Sequence, residues 1–185
     1  KDALETYKFN HHNSNVLCAD MSSLKGVEVS SFLDGKKVDV IIGGPPCQGF
    51  SIAGKRIVDD ERNKLYKGFV RMVAYFKPRA FVMENVPNIL SIGGGVVKQS
   101  ILEDFQELGY NVETKVLLAS DYGVPQNRRR AVFVGLYNGV FDFNIPTVEH
   151  KVTTEEALGD LSEESIADKS SYPIAPSCDY QRLMR

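Results

Sequence analysis

Short apolar runs and longer stretches of helical spacing alternate along this chain, and together they predict an α/β order. The run Val38-Asp39-Val40-Ile41-Ile42 has the length and β-branched content of a buried parallel strand. From Glu61 to Phe76, apolar residues at Leu65, Phe69, Met72, Val73 and Phe76 keep helical spacing, and Pro78 stops the helix. Ala80-Phe81-Val82-Met83 is a second short buried strand. Val97, Ile101, Phe105 and Leu108 then mark a helix that ends at Gly109, which suits a left-handed cap. Two longer strands follow, Tyr110 to Ala119 and Arg130 to Leu136.

The two ends of the chain are less strongly patterned. Ala3, Leu4, Tyr7 and Phe9 form a brief apolar stripe with no cap before it, so the chain is expected to begin inside a helix. Asn15 to Asp20 reads as a short strand ending in an acid, and Ser22-Ser23 as the cap of a helix running to about Phe32. Beyond Pro146, Thr153 or Thr154 with Glu156 opens a short helix through Leu161, followed by a Ser/Asp/Lys stretch with little core and no closing element. The expected division is a core over 1–150 and a connecting segment over 151–185.

Composition narrows the picture by exclusion. The 185 residues carry 22 Lys and Arg against 24 Asp and Glu, so no global basic charge points to nucleic acid, and any such contact rests on local patches. No apolar run approaches the roughly 20 residues of a membrane span, and the amino terminus has no signal-peptide centre, so an intracellular, cytoplasmic protein is expected. Cys18, Cys47 and Cys178 are odd in number and widely spaced, with no histidines at zinc spacing. Neither a disulfide framework nor a metal site is expected.

Candidate chemistry gathers at strand ends. Cys47 lies in Gly43-Gly44-Pro45-Pro46-Cys47-Gln48-Gly49-Phe50-Ser51, a loop stiffened by two prolines just beyond a strand, which is where ligands bind in open α/β sheets. A free cysteine is commonly a small buried hydrophobe, but this loop is rigid and polar, the setting of an exposed nucleophile. Glu84 follows four apolar residues at the end of the next strand. Partial desolvation there raises a carboxyl pKa and lets it share a proton near neutrality. In Arg128-Arg129-Arg130, strand alternation puts Arg128 and Arg130 on one face, able to bind a phosphate or a carbonyl oxygen, and leaves Arg129 to solvent. Gly93-Gly94-Gly95 reads as a flexible loop, since no strand leads into it, and His11 and His12 read as surface residues.

Three of these pieces, Gly44-Pro45-Pro46-Cys47-Gln48-Gly49-Phe50-Ser51, Met83-Glu84-Asn85-Val86 and Gln126-Asn127-Arg128-Arg129-Arg130, stand in the order and spacing of one family. By them the chain resembles the C5-cytosine DNA methyltransferases. Weaker matches at Ala19-Asp20-Met21, Asp60 to Tyr66 and Asp121 to Pro125 extend the resemblance over nearly the whole chain. It implies a Rossmann-like sheet, mostly parallel with an antiparallel edge, and S-adenosylmethionine as methyl donor with no metal. It further implies that the Cys47 thiolate adds to C6 of a flipped cytosine, that Glu84 holds N3 and the exocyclic amine, and that Arg130 with Arg128 grips O2. Asp20 and Met21 would meet the adenine of the cofactor, Pro46 and Leu65 would line its pocket, and Gln48, Ser51 and Gln126 would touch double-stranded DNA.

The family's glycine-rich first strand and the acidic second strand have no counterpart in the sequence, nor has its target-recognition domain. The resemblance places the two absent strands beside Val38 to Ile42, which would leave that strand with an unpaired edge. The expectation is therefore a fragment, either part of a longer enzyme or one part of a split one whose remainder is a separate chain, with a cognate restriction endonuclease as a further partner. A tRNA methyltransferase of the same family and a non-catalytic DNA-binding subunit are the alternatives.

Overall fold

A computed structural model describes residues 2–46, 64–161 and 174–184. They form two compact units, the first built from 1–115 with 131–142 and the second from 116–130 with 143–185.

The first unit holds a mixed sheet. Its elements run α1 (Asp2–Asn10), α2 (Gly26–Ser30), β1 (Val40–Gly43), α3 (Lys64–Phe76), β2 (Ala80–Asn85), α4 (Val96–Gln106), β3 (Asn111–Leu118) and β4 (Arg129–Leu136), the last two reaching into the second unit. The sheet order is β1-β2-β4-β3. β1 pairs parallel to β2 with Val40 opposite Ala80, and β2 pairs antiparallel to β4 with Phe81 opposite Gly135.

Period and sequence explain the core. In β2 alternate residues are buried, so Phe81, Met83 and Asn85 share one face. The apolar stripes of α3 and α4 cover that face: Phe81 stacks on Phe105 with centroids 4.1 Å apart, and Phe69 meets both rings edge-on. Fully burying side chains of this size contributes about 1.5–3 kcal/mol each. Gly135 leaves room for the Phe81 ring, which a Cβ there would meet at 2.0 Å. After α4, Gly109 turns left-handed at φ 88°, and the Tyr110 amide bonds back to the Phe105 carbonyl at 3.1 Å, ending the helix as its glycine predicts.

Several expectations are corrected. Residues 15–20 form no strand: they lie in irregular chain that has no strand partner among the described residues. The helix after them is only α2, because Ser22 and Ser23 do not cap it. The Ser22 amide and Ser23 hydroxyl instead bond to Asp20, and the Lys25 amide donates to the Glu28 carboxylate at the helix start. β1 is parallel as predicted but not buried on both faces. It pairs only with β2 among the described residues, and Ile42 is 76% exposed. Gly93-Gly94-Gly95 forms a tight turn with all three φ angles positive, and Gly95 stands at the N-cap of α4.

The second unit contains a turn over Ala119–Tyr122 that Gly123 closes at φ 82°. The Val148 amide donates to the Asp121 carbonyl, and Lys151 pairs with the Asp121 carboxylate at 2.6 Å. Thr153 caps α5 (Thr154–Leu158) through its hydroxyl while Glu156 reaches back to the Thr153 amide, so of the two threonines it is Thr153 that opens the expected helix, which ends at Leu158 and not at Leu161. Contrary to expectation a closing element exists: α6 (Asp179–Met184) packs on α5 through Gln181, buried, which donates to the Glu156 carbonyl at 2.7 Å. No helix among the described residues is long and apolar enough to cross a membrane.

Candidate active site

The site is built where β1 and β2 end side by side in parallel. β1 leads into Gly44-Pro45-Pro46, the stem of the cysteine loop. Cys47, Gln48 and Ser51 lie outside the described residues. At the end of β2, the buried Asn85 donates from Nδ2 to the Pro45 carbonyl at 2.9 Å, and its Oδ1 accepts from the Val86 amide at 2.9 Å. One side chain thus fastens the stem two residues before Cys47 and orients the chain leaving Glu84.

Glu84 is half-buried and lies on the sheet face opposite Asn85. Its Oε2 sits where a Cβ on Gly44 would come within 2.9 Å, so the carboxylate lies directly against the stem backbone. At Gly43 a Cβ would meet the Phe69 ring at 2.7 Å. These two adjacent glycines therefore serve different neighbours, the first admitting α3 and the second admitting the carboxylate. In the sequence, Asn85 and Gly44 stand out only as letters of their motifs. The local signal for Asn85 was an amide at a strand end, on the buried phase of the alternation.

A cavity of about 300 Å³ opens beside the stem, and Met21, Pro46 and Leu65 share its wall with Ile41, Phe69 and Met72. Three of the four predicted cofactor residues are thus brought together, although they come from three separated segments. Asp20 does not line the cavity. Its carboxylate accepts from the Ser22 amide at 2.8 Å, and that bond, helped by the Ser22 side chain, holds its pKa below the ordinary carboxylate value at a fully exposed position.

Two residues of α3, Arg71 and Gly68, which no local sequence signal marks, shape this wall. Arg71 Nη2 donates to the carbonyls of Met21 at 3.0 Å and Ser22 at 2.8 Å. Gly68 lets the helix approach the same loop, since a Cβ there would meet the Met21 carbonyl oxygen at 2.4 Å.

The arginine turn belongs to the second unit. Arg128 precedes β4, with its carbonyl accepting from the Ala119 amide at 2.9 Å, and Gln126 is exposed. The strand begins at Arg129, so the alternation argument reaches Arg129 and Arg130 but not Arg128. Arg130 is half-buried and donates from Nη1 to the Arg129 carbonyl at 2.7 Å.

Comparison with known proteins gives this geometry its context. The family model for C-5 cytosine-specific DNA methylases matches residues 1–182. The chain is 41% identical over 170 residues to the type II methyltransferase M1.HphI of Haemophilus parahaemolyticus, covering 90% of this chain and 46% of that protein. It is 41% identical over 196 residues to the type II methyltransferase M.DdeI of Desulfomicrobium norvegicum, covering 99% and 47%. The chain therefore spans about half the length of these curated relatives. A solved E. coli structure, described as a candidate DNA modification methyltransferase encoded within a prophage, superposes with a TM-score of 0.72 at 32% identity, covering 87% of this chain and 46% of that one. The Entamoeba histolytica methyltransferase EhMeth shares the fold at a TM-score of 0.62 and 18% identity. By the extent of the family match, over nearly the whole chain, the chain belongs to the C-5 cytosine-specific DNA methylases.

Proposed function

We propose that this chain forms the catalytic part of an enzyme that methylates C5 of cytosine in double-stranded DNA. The observation that carries the reading is the joint at the ends of β1 and β2, where Asn85 holds the cysteine-loop stem and Glu84 lies against Gly44. Motif residues 40 positions apart meet there, and neither would need the other if each were ornamental.

The cavity beside the stem suits the adenine end of S-adenosylmethionine. It is mostly apolar and placed at strand ends, with Met21, Pro46 and Leu65 to grip a flat ring. Asp20, kept anionic by the Ser22 amide, is adjacent to Met21 in the chain and offers an acceptor for a donor group on that ligand. When bound, S-adenosylmethionine supplies an electrophilic methyl group.

The remaining steps fall to this chain's residues. Cytosine C5 is a weak nucleophile until a thiolate adds at C6, and Cys47 takes that part. Its electron pair would form the S–C6 bond and push the C5–C6 π pair onto C5, making that carbon nucleophilic toward the methyl group, whose bonding pair would stay with the sulfur of S-adenosylmethionine as the C5–methyl bond forms. Loss of the C5 proton to a base re-forms the double bond and expels Cys47 as thiolate. Glu84 would donate a carboxyl proton to N3 and accept from the exocyclic amine, which offsets the negative charge that builds on the ring as the thiolate adds. Arg130 and Arg128 hold O2. A stacked base exposes neither face of C6, so the cytosine is flipped out of the duplex, with Gln48, Ser51 and Gln126 touching DNA. Residues 151–185 lead towards the part of the enzyme that selects the sequence. The type II names of the relatives support a restriction-modification setting.

The test uses the full-length enzyme with S-adenosylmethionine and either duplex DNA or tRNA containing 5-fluorocytosine, in which the fluorine blocks the final elimination. A covalent adduct with DNA that disappears in Cys47→Ser is the expected result. An adduct with tRNA alone, or with neither, overturns the DNA reading.

A further inference from the structure

We infer that Arg71 is a cofactor-positioning residue, which acts by clamping the Met21 loop to α3 and so keeps the adenine-binding cavity closed on that side. The inference rests on the cofactor reading of the cavity given above.

The wall formed by Met21 is not held by a strand. Residues 15–20 form no ladder with the described residues, and besides the bonds to Asp20 the loop is held through the Met21 and Ser22 carbonyls. Both carbonyls accept from the same nitrogen of Arg71, at 3.0 and 2.8 Å, across 50 and 49 residues of sequence. A guanidinium serves such a pair well because it is planar, permanently charged and rich in donors, whereas an ammonium is compact, strongly hydrated and held on a flexible stem.

The helix that carries this clamp is itself anchored. One turn before Arg71, the buried Tyr66 bonds through its hydroxyl to Asp104 of α4 at 2.9 Å and meets Phe105 edge-on. Phe69 packs edge-on against the stacked Phe81 and Phe105. α3 is thus the fixed partner and the Met21 loop the tethered one. Gly68 supports the same arrangement, because its missing Cβ is what lets the Met21 carbonyl approach the helix. Met21 and the α3 residues Leu65, Phe69 and Met72 line one cavity, so releasing the loop would widen the site without touching the cysteine loop or Glu84.

The experiment measures S-adenosylmethionine affinity by calorimetry, and KM and kcat on duplex DNA, for the full-length enzyme and three variants. Arg71→Ala is expected to weaken cofactor binding and raise its KM by about tenfold, equivalent to about 1.4 kcal/mol, with kcat at saturating cofactor within about twofold. Arg71→Lys should recover only part of the loss, and Gly68→Ala should reproduce it with the guanidinium intact. Unchanged cofactor affinity in Arg71→Ala, or a fall in kcat with KM unmoved, overturns the inference. A wild-type enzyme that does not bind S-adenosylmethionine overturns the cofactor reading and this inference with it, whereas normal wild-type binding and an unaffected Arg71→Ala overturn this inference alone.

Discussion

Asn85 joins the ends of two parallel strands by donating to the Pro45 carbonyl at 2.9 Å while accepting from the Val86 amide. A side chain that is both donor and acceptor is needed, and the site is buried enough that water does not replace either bond cheaply. Asn85→Ala is expected to lower stability by about 1–3 kcal/mol, read from chemical unfolding. Asn85→Asp keeps the acceptor but faces the Pro45 carbonyl with an oxygen, so it should be no better. In both, misplacement of the stem should slow adduct formation with 5-fluorocytosine DNA by up to about 100-fold in quenched time courses.

Two glycine-to-alanine changes should separate function from folding. At Gly44 the new Cβ would meet the Glu84 Oε2 at 2.9 Å, the far end of a flexible side chain, and the Glu84 carbonyl oxygen only at the ordinary contact distance of 3.7 Å. Gly44→Ala should therefore leave the unfolding midpoint nearly unchanged while reducing kcat, since Glu84 is pushed from its place. At Gly135 the Cβ meets the packed Phe81 ring at 2.0 Å. Gly135→Ala should cost about 1–3 kcal/mol or more, measured by denaturant unfolding, because the ring has no free volume to retreat into.

Alkaline pH should expose the role of Tyr66. Burial foremost, then the negative charge of Asp104 and the hydrogen bond to it, raises the phenol pKa far above its ordinary value near 10. The native state then holds the proton that the unfolded chain releases, so this contribution is complete below about pH 10 and declines as pH rises beyond it. Thermal midpoints of the wild type should fall more steeply above that pH than those of Tyr66→Phe, which has no proton to lose. Equal slopes would contradict the assignment.

Acid should act on the second unit instead. The Glu156 carboxyl is held below its ordinary pKa, first by the Thr153 amide and then by His150, so the cap is complete above that ordinary value and is lost as pH falls through the lowered one. Thr153→Ala removes the other half of the cap, at a cost of about 1 kcal/mol. Hydrogen exchange should quicken at the amides of 154–158 while those of α3 are unaffected.

Legibility followed distance along the chain. The spacing of Leu65, Phe69, Met72 and Phe76, the Gly109 cap and the Thr153–Glu156 cap depend on neighbours within a few residues, and the structure carries each of them. Asn15 to Asp20 failed as a strand for the opposite reason. Its β-like composition needs a paired neighbour, and none lies beside it among the described residues. Ser22 and Ser23 failed as helix caps because Asp20, two and three residues away, took their hydrogen-bonding groups first.

The sequence by itself determined the family and the α/β order, because motif letters and hydrophobic period are local properties. Only the tertiary structure decided what holds these pieces in place. The Asn85 bond to Pro45 spans 40 residues and the Arg71 bond to Met21 spans 50, and the clearance at Gly44 and Gly68 depends on which atom stands opposite. Such contacts arise only when distant segments pack, so neither composition nor periodicity records them.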